Sequence, residues 1–552
     1  MNEQPDKKPK RRLRQFSLRT MLVLFLALTV FVALNVERWR EYWNATGRSV
    51  PASFDVRTGR NVLWTAKLGS VTHSSPVVSG GKVFIGSNNG SGYLNRFPAN
   101  VDLGVMLCFD AKTGTFLWQH SNQKLKTGRV HDYPLQGVTG SATVEADRLY
   151  YVSNRCELVC LDTEGYLDGE DDGEVQDPKF QSKKQEADVV WKLDMMGELN
   201  VNPHNAAASI PCIAGDRLFV VTGEGVGMTH TYGASVNAPS FLAVDKHTGK
   251  ILWTDSSPGT NVLHGQWGSP EFGVLGGVPQ VIFPGGDGWL YSFSPAGNAD
   301  GSAKLLWKFD CNPKTSVWKL GGAGTRNNLI QKPTIAGGLV YMAVGQDPEH
   351  GEGQGRVWCN DPTKRGDVSA ELVVNESSPN FPIPHKRNLA ADISAGDMVK
   401  ANPNSAVVWE YTGTDLNGDG KFAVNEKMHR SLSRVVVHGD HVYVVNYSGF
   451  IHCVDNKTGQ AVWTYDLLAM TWSSPIVSDT HLLIGDEDGD VAAFPLVDGP
   501  KAATPEFESN LRMTIFSTPT ISNDVMYIAN KRTLYAIAAP KTTQKKDNAT
   551  AK

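Results

Sequence analysis

The stretch DLNGDGKFAVNE at 415–426 sets hard oxygen donors at the spacing of a calcium loop. Asp415, Asn417 and Asp419 take positions 1, 3 and 5, Gly420 the sharp turn at 6, and Glu426 position 12, satisfying D-x-[DN]-x-[DN]-G-x5-E in full. Oxygens at alternate positions converge on one point, Lys421 adds its backbone carbonyl, and Glu426 closes the site as a bidentate ligand. The expected ligands of Ca2+ are therefore Asp415, Asn417, Asp419, Lys421 and Glu426. No helical periodicity flanks the loop, so it reads as a structural staple inserted between larger elements, not a sensor.

Other chemistry-bearing groups are more scattered. In GQDPEHGEG at 345–353, Asp347, His350 and Glu352 lie close to Asp361 in sequence, a mixed nitrogen and oxygen set that suits a divalent metal. The reading adopted for them is plainer: a mobile, Gly-rich surface loop whose polar groups face water. His131, His204, His230 and His264 fall at loop positions along the chain, where a funnel lining is open to them. The acidic run containing Asp168, Glu170, Asp172 and Gly173 begins like a calcium loop but has Lys179 at position 12, so it reads as a solvated insertion. Asp486, Asp488 and Asp490 read as a tight turn. No G-x-S-x-G elbow occurs, which argues against a serine hydrolase of that type.

The elements that must hold these loops follow from repetition. FDVRTGRNVLW at 54–64 recurs as CFDAKTGTFLW at 108–118, LAVDKHTGKILW at 242–253 and CVDNKTGQAVW at 452–463. Gly59, Gly114, Gly249 and Gly459 end a hairpin loop where φ must turn positive, which a residue without Cβ adopts freely. Intact units recur 54 residues apart, at Trp64–Trp118, Trp253–Trp307 and Trp409–Trp463. Eight hairpin arms of alternating β-branched and aromatic residues, such as SSPVVSGGKVFIGS and STPTISNDVMYIAN, precede the corners. One arm and one corner make four strands, the size of a propeller blade. The last arm, ending in LYAIA at 534–538, lacks a corner, and the corner at 54–64 lacks an arm. The two halves are expected to complete one blade and close an eight-bladed all-β ring, removing exposed strand edges.

The D-x-x-T-G-x-x-x-W repeat resembles the quinoprotein-type repeat of pyrroloquinoline quinone (PQQ) dehydrogenases. It also resembles that of the non-enzymatic scaffold lipoprotein of the outer-membrane β-barrel assembly machinery. The wording GQDPEHGEGQGRVWCNDPTKRGD at 345–367 and SGFIHCVDNKTG at 448–459 is similar to PQQ-like repeat proteins of planctomycete bacteria. The resemblance covers residues 54–538 and implies the fold; one fold hosts many functions. A PQQ centre of that family would need adjacent cysteines, a catalytic Asp, and Glu, Asn and Asp calcium ligands from several blades. No two cysteines are adjacent here, GGAG at 321–324 continues as Thr325-Arg326 where the family presents a Trp, and no C-x-x-C-H haem motif occurs.

Composition fits one large β body: 54 Gly, 14 Trp, 15 Tyr and 20% charged residues in 552. A net charge of −4 supplies no basic stripe, so nucleic acid is not an expected partner. Four of seven cysteines, Cys108, Cys160, Cys359 and Cys453, occupy one repeat position two residues before the corner Asp. They are expected to be buried packing residues in separate blades. Ahead of the repeats, seven Lys or Arg precede the apolar run MLVLFLALTVFVAL at 21–34, and Trp39, Tyr42 and Trp43 follow it. We expect a basic cytoplasmic tail at 1–19, a signal-anchor helix at 20–36, a linker at 37–53, a propeller at 54–539 and a disordered tail at 540–552. Insertions are expected at 162–190, 345–405 and 412–430. A cleaved signal peptide is the other reading of the apolar run. Together these give a membrane-tethered extracytoplasmic propeller that binds a protein or small molecule on one face. A PQQ-dependent oxidoreductase is the alternative, and a sensor ectodomain is disfavoured by the short basic tail.

Overall fold

The computed structural model describes residues 48–539 except 174, 177–182, 232, 234, 236 and 497–503. The expected anchor at 20–36 lies outside them, and no helix among the described residues is long and apolar enough to cross a membrane. Seven sheets of four antiparallel strands and one of four antiparallel strands edged by a fifth, parallel strand follow one another along the chain. They are blades 1 to 8. Their first strands are Val77–Ser79, Thr143–Glu145, Cys212–Ala214, Glu271–Leu275, Thr334–Ala336, Val436–His438, Ile476–Val477 and Thr520–Ser522. These first strands neighbour one another from blade to blade and line a central channel.

Blade 8 answers the sequence. Its fourth strand is Val62–Lys67 from the start of the described chain, antiparallel to Thr533–Ile537, with Trp64 opposite Ala536 and Lys67 opposite Thr533. The ring is closed by the N-terminal strand, and the all-β eight-bladed architecture stands as expected.

Each corner is built by its own residues. In blade 1 the Asp110 carboxylate accepts hydrogen bonds from Lys112 N (3.1 Å), Thr113 N (2.8 Å) and Thr113 Oγ1 (2.8 Å). Asp245 and Asp455 repeat the pattern, a side-chain mimic of a backbone turn. The glycine that follows sits at φ +71° in blade 1 and +70° in blades 3 and 6. A second constraint acts there: a Cβ on Gly249 would lie 2.6 Å from the Trp191 ring of the preceding blade, and one on Gly114 2.5 Å from Trp64. The indole lies flat on the bare glycine while its N–H donates to a carbonyl of the same corner, as in Trp64 to Ala111 (3.0 Å), Trp191 to Lys246 (3.1 Å) and Trp409 to Asn456 (2.9 Å).

The cysteine position has a matching cause. Cys108, Cys160, Cys359 and Cys453 stand directly across the sheet from Trp118, Trp191, Trp409 and Trp463, where a small apolar residue leaves room for the indole. All seven cysteines are free and buried.

Near the axis the blades are joined by hydroxyls. Ser141 Oγ accepts from Ser75 N (2.8 Å), Ser474 Oγ from Arg434 N (2.8 Å), Thr518 Oγ1 from Ser474 N (3.0 Å) and Ser75 Oγ from Thr518 N (2.9 Å). Each such bond contributes about 1 kcal/mol, and the last crosses the closure between blades 8 and 1.

Blade 5 departs from the plain repeat. Between its third strand, Val357–Asn360, and its fourth, Val407–Tyr411, an insertion adds Gly366–Asp367 parallel to the outer strand of blade 4 and then forms a hairpin, Glu371–Asn375 with Asp397–Ala401. Trp307 of blade 4 accordingly turns inward and donates to Gln280 Oε1 of its own blade (2.7 Å).

Candidate functional site

Strand direction alternates within a blade, so loops between second and third strands, and connections from one blade to the next, emerge on one face. That face carries both groups singled out above. The loop at 415–426 lies on the connection from blade 5 to blade 6. Asp415 Oδ1 accepts from Gly418 N (2.7 Å) and Asp419 N (3.2 Å), and its Oδ2 from Gly420 N (2.8 Å). Asn417 Oδ1 accepts from Asp419 N (2.9 Å), and Asp419 Oδ1 from Lys421 N (2.8 Å). Gly420 has φ +79°. Glu426 is buried, its two oxygens accepting from Leu416 N (3.0 Å) and Ala423 N (2.8 Å). The predicted residues thus lie in one wrapped turn, with the Glu426 carboxylate folded back onto its start. Hard oxygens in this set suit calcium chemically.

Asp347 and His350 are not a solvated surface loop; both side chains are nearly inaccessible, at 12% and 6% exposure. Their loop folds inward because Arg430, itself buried, donates to the carbonyls of His350 (2.8 Å) and Gly324 (2.8 Å). Glu352 stays exposed, and Asp361 serves its own turn through Thr363 N (2.9 Å). Asp347 Oδ2 accepts from His350 Nδ1 (2.8 Å) and from His264 Nδ1 (2.7 Å). His264 Nε2 lies 3.1 Å from His230 Nδ1, and the His204 ring packs on both at centroid separations of 4.3 and 4.6 Å. His204 Nδ1 donates to the Val226 carbonyl (2.7 Å). His131 stays apart, on Asn202 Oδ1 (2.8 Å).

Electrostatics sort this cluster. Burial holds the His204 imidazole down to about 4, and burial also lowers His230. At Asp347, burial pushes the carboxyl upward, but the hydrogen bonds from His264 and His350 prevail and hold it well below the ordinary carboxylate range. The result is a His204 ring held neutral by burial close to an ionised Asp347 carboxylate. These residues stand apart in sequence because they come from the blade 2 to 3 and blade 3 to 4 connections and from loops of blades 3 and 5. Placing each histidine in the repeat register assigns all of them to one face of consecutive blades, and that is the signal that joins them.

The channel below this face holds a cavity of about 1230 Å³, reached by Asp347 and Glu349 and by Tyr133, Gln136 and Trp267. Trp267 packs edge-on against His264 at 5.3 Å, and its N–H donates to the carbonyls of His204 and Ala206 (both 3.1 Å). Elsewhere in the lining His73 stacks on Phe516 at 4.5 Å beside Trp472. The adjacent cysteine pair that the resemblance implies for a PQQ centre is missing from the sequence, and Arg326, beyond GGAG, is buried against Asp310 (3.0 Å) and Ser316 Oγ (3.2 Å).

A family profile described as outer membrane protein assembly factor BamB matches residues 242–499 and 395–550. A polyvinylalcohol dehydrogenase of Sphingopyxis sp. (strain 113P3) is 30% identical over 124 residues, which is 21% of this chain and 18% of that protein. The chain therefore matches under a fifth of that relative's length. Among solved structures, BamB from Moraxella catarrhalis superposes with a TM-score of 0.50 at 13% identity, covering 86% of this chain and 99% of that one. At that identity the likeness shows the fold alone. The quinohemoprotein alcohol dehydrogenase from Comamonas testosteroni reaches 0.41 at 11% identity, over 87% and 76% of the two chains.

Proposed function

The chain belongs to the family of the outer membrane protein assembly factor BamB, a family of PQQ-like repeat propellers, and from that premise we propose that it is a scaffold whose face at the channel mouth binds a partner protein. The observation that carries this reading is the cavity at that mouth: inner strands frame it, and aromatic and amide groups, Tyr133, Trp267 and Gln136, line it together with Glu349. Such a mixture of amphipathic rings and orienting polar groups suits recognition of a peptide segment. The proposal includes a tether through the apolar run at 21–34, with the propeller on the extracytoplasmic side. Calcium held by Asp415, Asn417, Asp419, the Lys421 carbonyl and Glu426 would fix the blade 5 to 6 connection on the same face.

Site-specific photo-crosslinking in membranes tests the reading. A benzophenone side chain at Tyr133 or Glu349 is expected to give one discrete protein adduct, and the same group at Lys457, on the corner side of blade 6, none. Equal labelling at all three positions, or no adduct at the mouth, would contradict a binding face there.

A further inference from the structure

We propose that His204, His230 and His264 are the protein ligands of a divalent transition-metal ion of the zinc class, set at the rim of the channel. The proposal stands apart from the scaffold reading and from the calcium loop. One ring nitrogen of each histidine lies within 4.8 Å of the other two, and His264 Nε2 and His230 Nδ1 are 3.1 Å apart. Tetrahedral zinc at its usual bond length separates its nitrogen ligands by about 3.3 Å, so small ring movements close the site.

Proton counting points the same way. A neutral imidazole carries one N–H. His204 commits its own to the Val226 carbonyl and His264 its own to Asp347, which leaves the Nε2 of each as a bare lone pair. His230 has one proton to offer and stands within reach of His264 Nε2. His204 Nε2, in a residue 1% exposed, then has no hydrogen-bond partner among the described residues. Leaving a buried acceptor unpaired is costly. A cation takes the lone pairs of all three rings at once, with His230 in its other tautomer.

The surroundings are those of a metal centre. Ligating histidines characteristically donate their second nitrogen to a carbonyl or a carboxylate, which fixes the ring and raises its basicity. Here Val226 and Asp347 play those parts, with Asp347 steadied in turn by His350. From the blade 5 insertion, Arg387 donates to the carbonyls of Thr231 and Leu263 (2.9 Å for the latter), each next in sequence to a ligand. Three neutral imidazoles favour zinc, cobalt, nickel or copper over calcium or magnesium. Three protein ligands leave a fourth position for water or a group from outside, as in open zinc sites, and His230 is the half-exposed member of the set.

The test uses the full chain stripped with chelator, then loaded with Co2+ and separately with Zn2+. The expected result is one equivalent of metal retained after desalting, with the intense visible bands of tetrahedral cobalt, displaced by zinc but not by excess calcium or magnesium. His204→Ala and His264→Ala should abolish retention, and Asp347→Asn should weaken it by about 10- to 100-fold. Asp415→Ala should leave it unchanged. His230→Ala, at a half-exposed position, keeps the test decisive should the buried variants fail to fold. Undiminished cobalt bands in His230→Ala, or no metal retained by the wild type, would overturn the assignment.

Discussion

His452, fully buried in blade 6, shares hydrogen bonds with the Tyr411 hydroxyl (2.9 Å) and the Asn446 amide (3.2 Å). Burial lowers its pKa to about 3. The unfolded chain, with an ordinary histidine near 6.5, therefore takes up a proton first as pH falls. The stability contributed is fully present above pH 6.5 and is lost between about 6.5 and 3, amounting to about 2 kcal/mol by pH 5. We expect His452→Gln to flatten the fall in melting temperature between pH 7 and 5, measured by calorimetry. An unchanged pH slope would show that this ring is not held neutral by the fold. At this scale the sequence was legible where a bond spans two or three residues, as from Asp110 to Thr113, because the donor and acceptor are both in the motif. It was not legible at His204, His264 and Asp347, whose bonds span tens of residues and depend on which loops share a face. A Gly-rich loop with three polar side chains carries the surface-loop signature whether or not Arg430 draws it inward.

The corner and the connection are the units in which this fold is written. Gly249 and Gly59 have nearly the same φ, +70° and +76°, but Gly249 lies under the Trp191 indole while nothing stands within 4 Å of a Cβ on Gly59. Gly59→Ala should cost about 1 kcal/mol from backbone strain alone. Gly249→Ala should cost about 2–4 kcal/mol, because overpacking against the indole adds to that strain. Chemical denaturation of the two variants measures the difference, and equal losses would remove the packing role of the corner. The repeat made these glycines visible as turn residues, but the second reason for them lies in the preceding blade.

The connection at 415–426 has its own test. Calcium at millimolar concentration should stabilise the protein by about 1 kcal/mol if its affinity is that of extracellular modules. For a chain of this size that corresponds to a rise in melting temperature of about 1 °C, lost in Asp415→Ala and Glu426→Gln and not reproduced by magnesium. An identical response of wild type and Glu426→Gln would reduce the loop to a turn.

At the scale of the whole molecule, the corner at 54–64 finds its arm in the strands Val525–Ala529 and Thr533–Ile537. Val62–Lys67 seals blade 8, Trp64 docks on the corner of blade 1, and Thr518 N donates to Ser75 Oγ beside the axis. This closure was legible because an arm without a corner and a corner without an arm are complementary in one dimension. The insertion of blade 5 was less so: its reach across the edge of blade 4 to Trp289, where His385 packs at 5.1 Å, depends on contacts no repeat encodes. The ring so formed has the propeller architecture of the BamB family, and the scaffold function proposed for it requires no quinone. The most direct measurement is to incubate the purified protein with PQQ and calcium, desalt it, and record the quinone absorbance of the protein fraction. The account predicts that the quinone elutes entirely with the small molecules. Stoichiometric quinone in the protein fraction, accompanied by alcohol-dependent dye reduction, would contradict it.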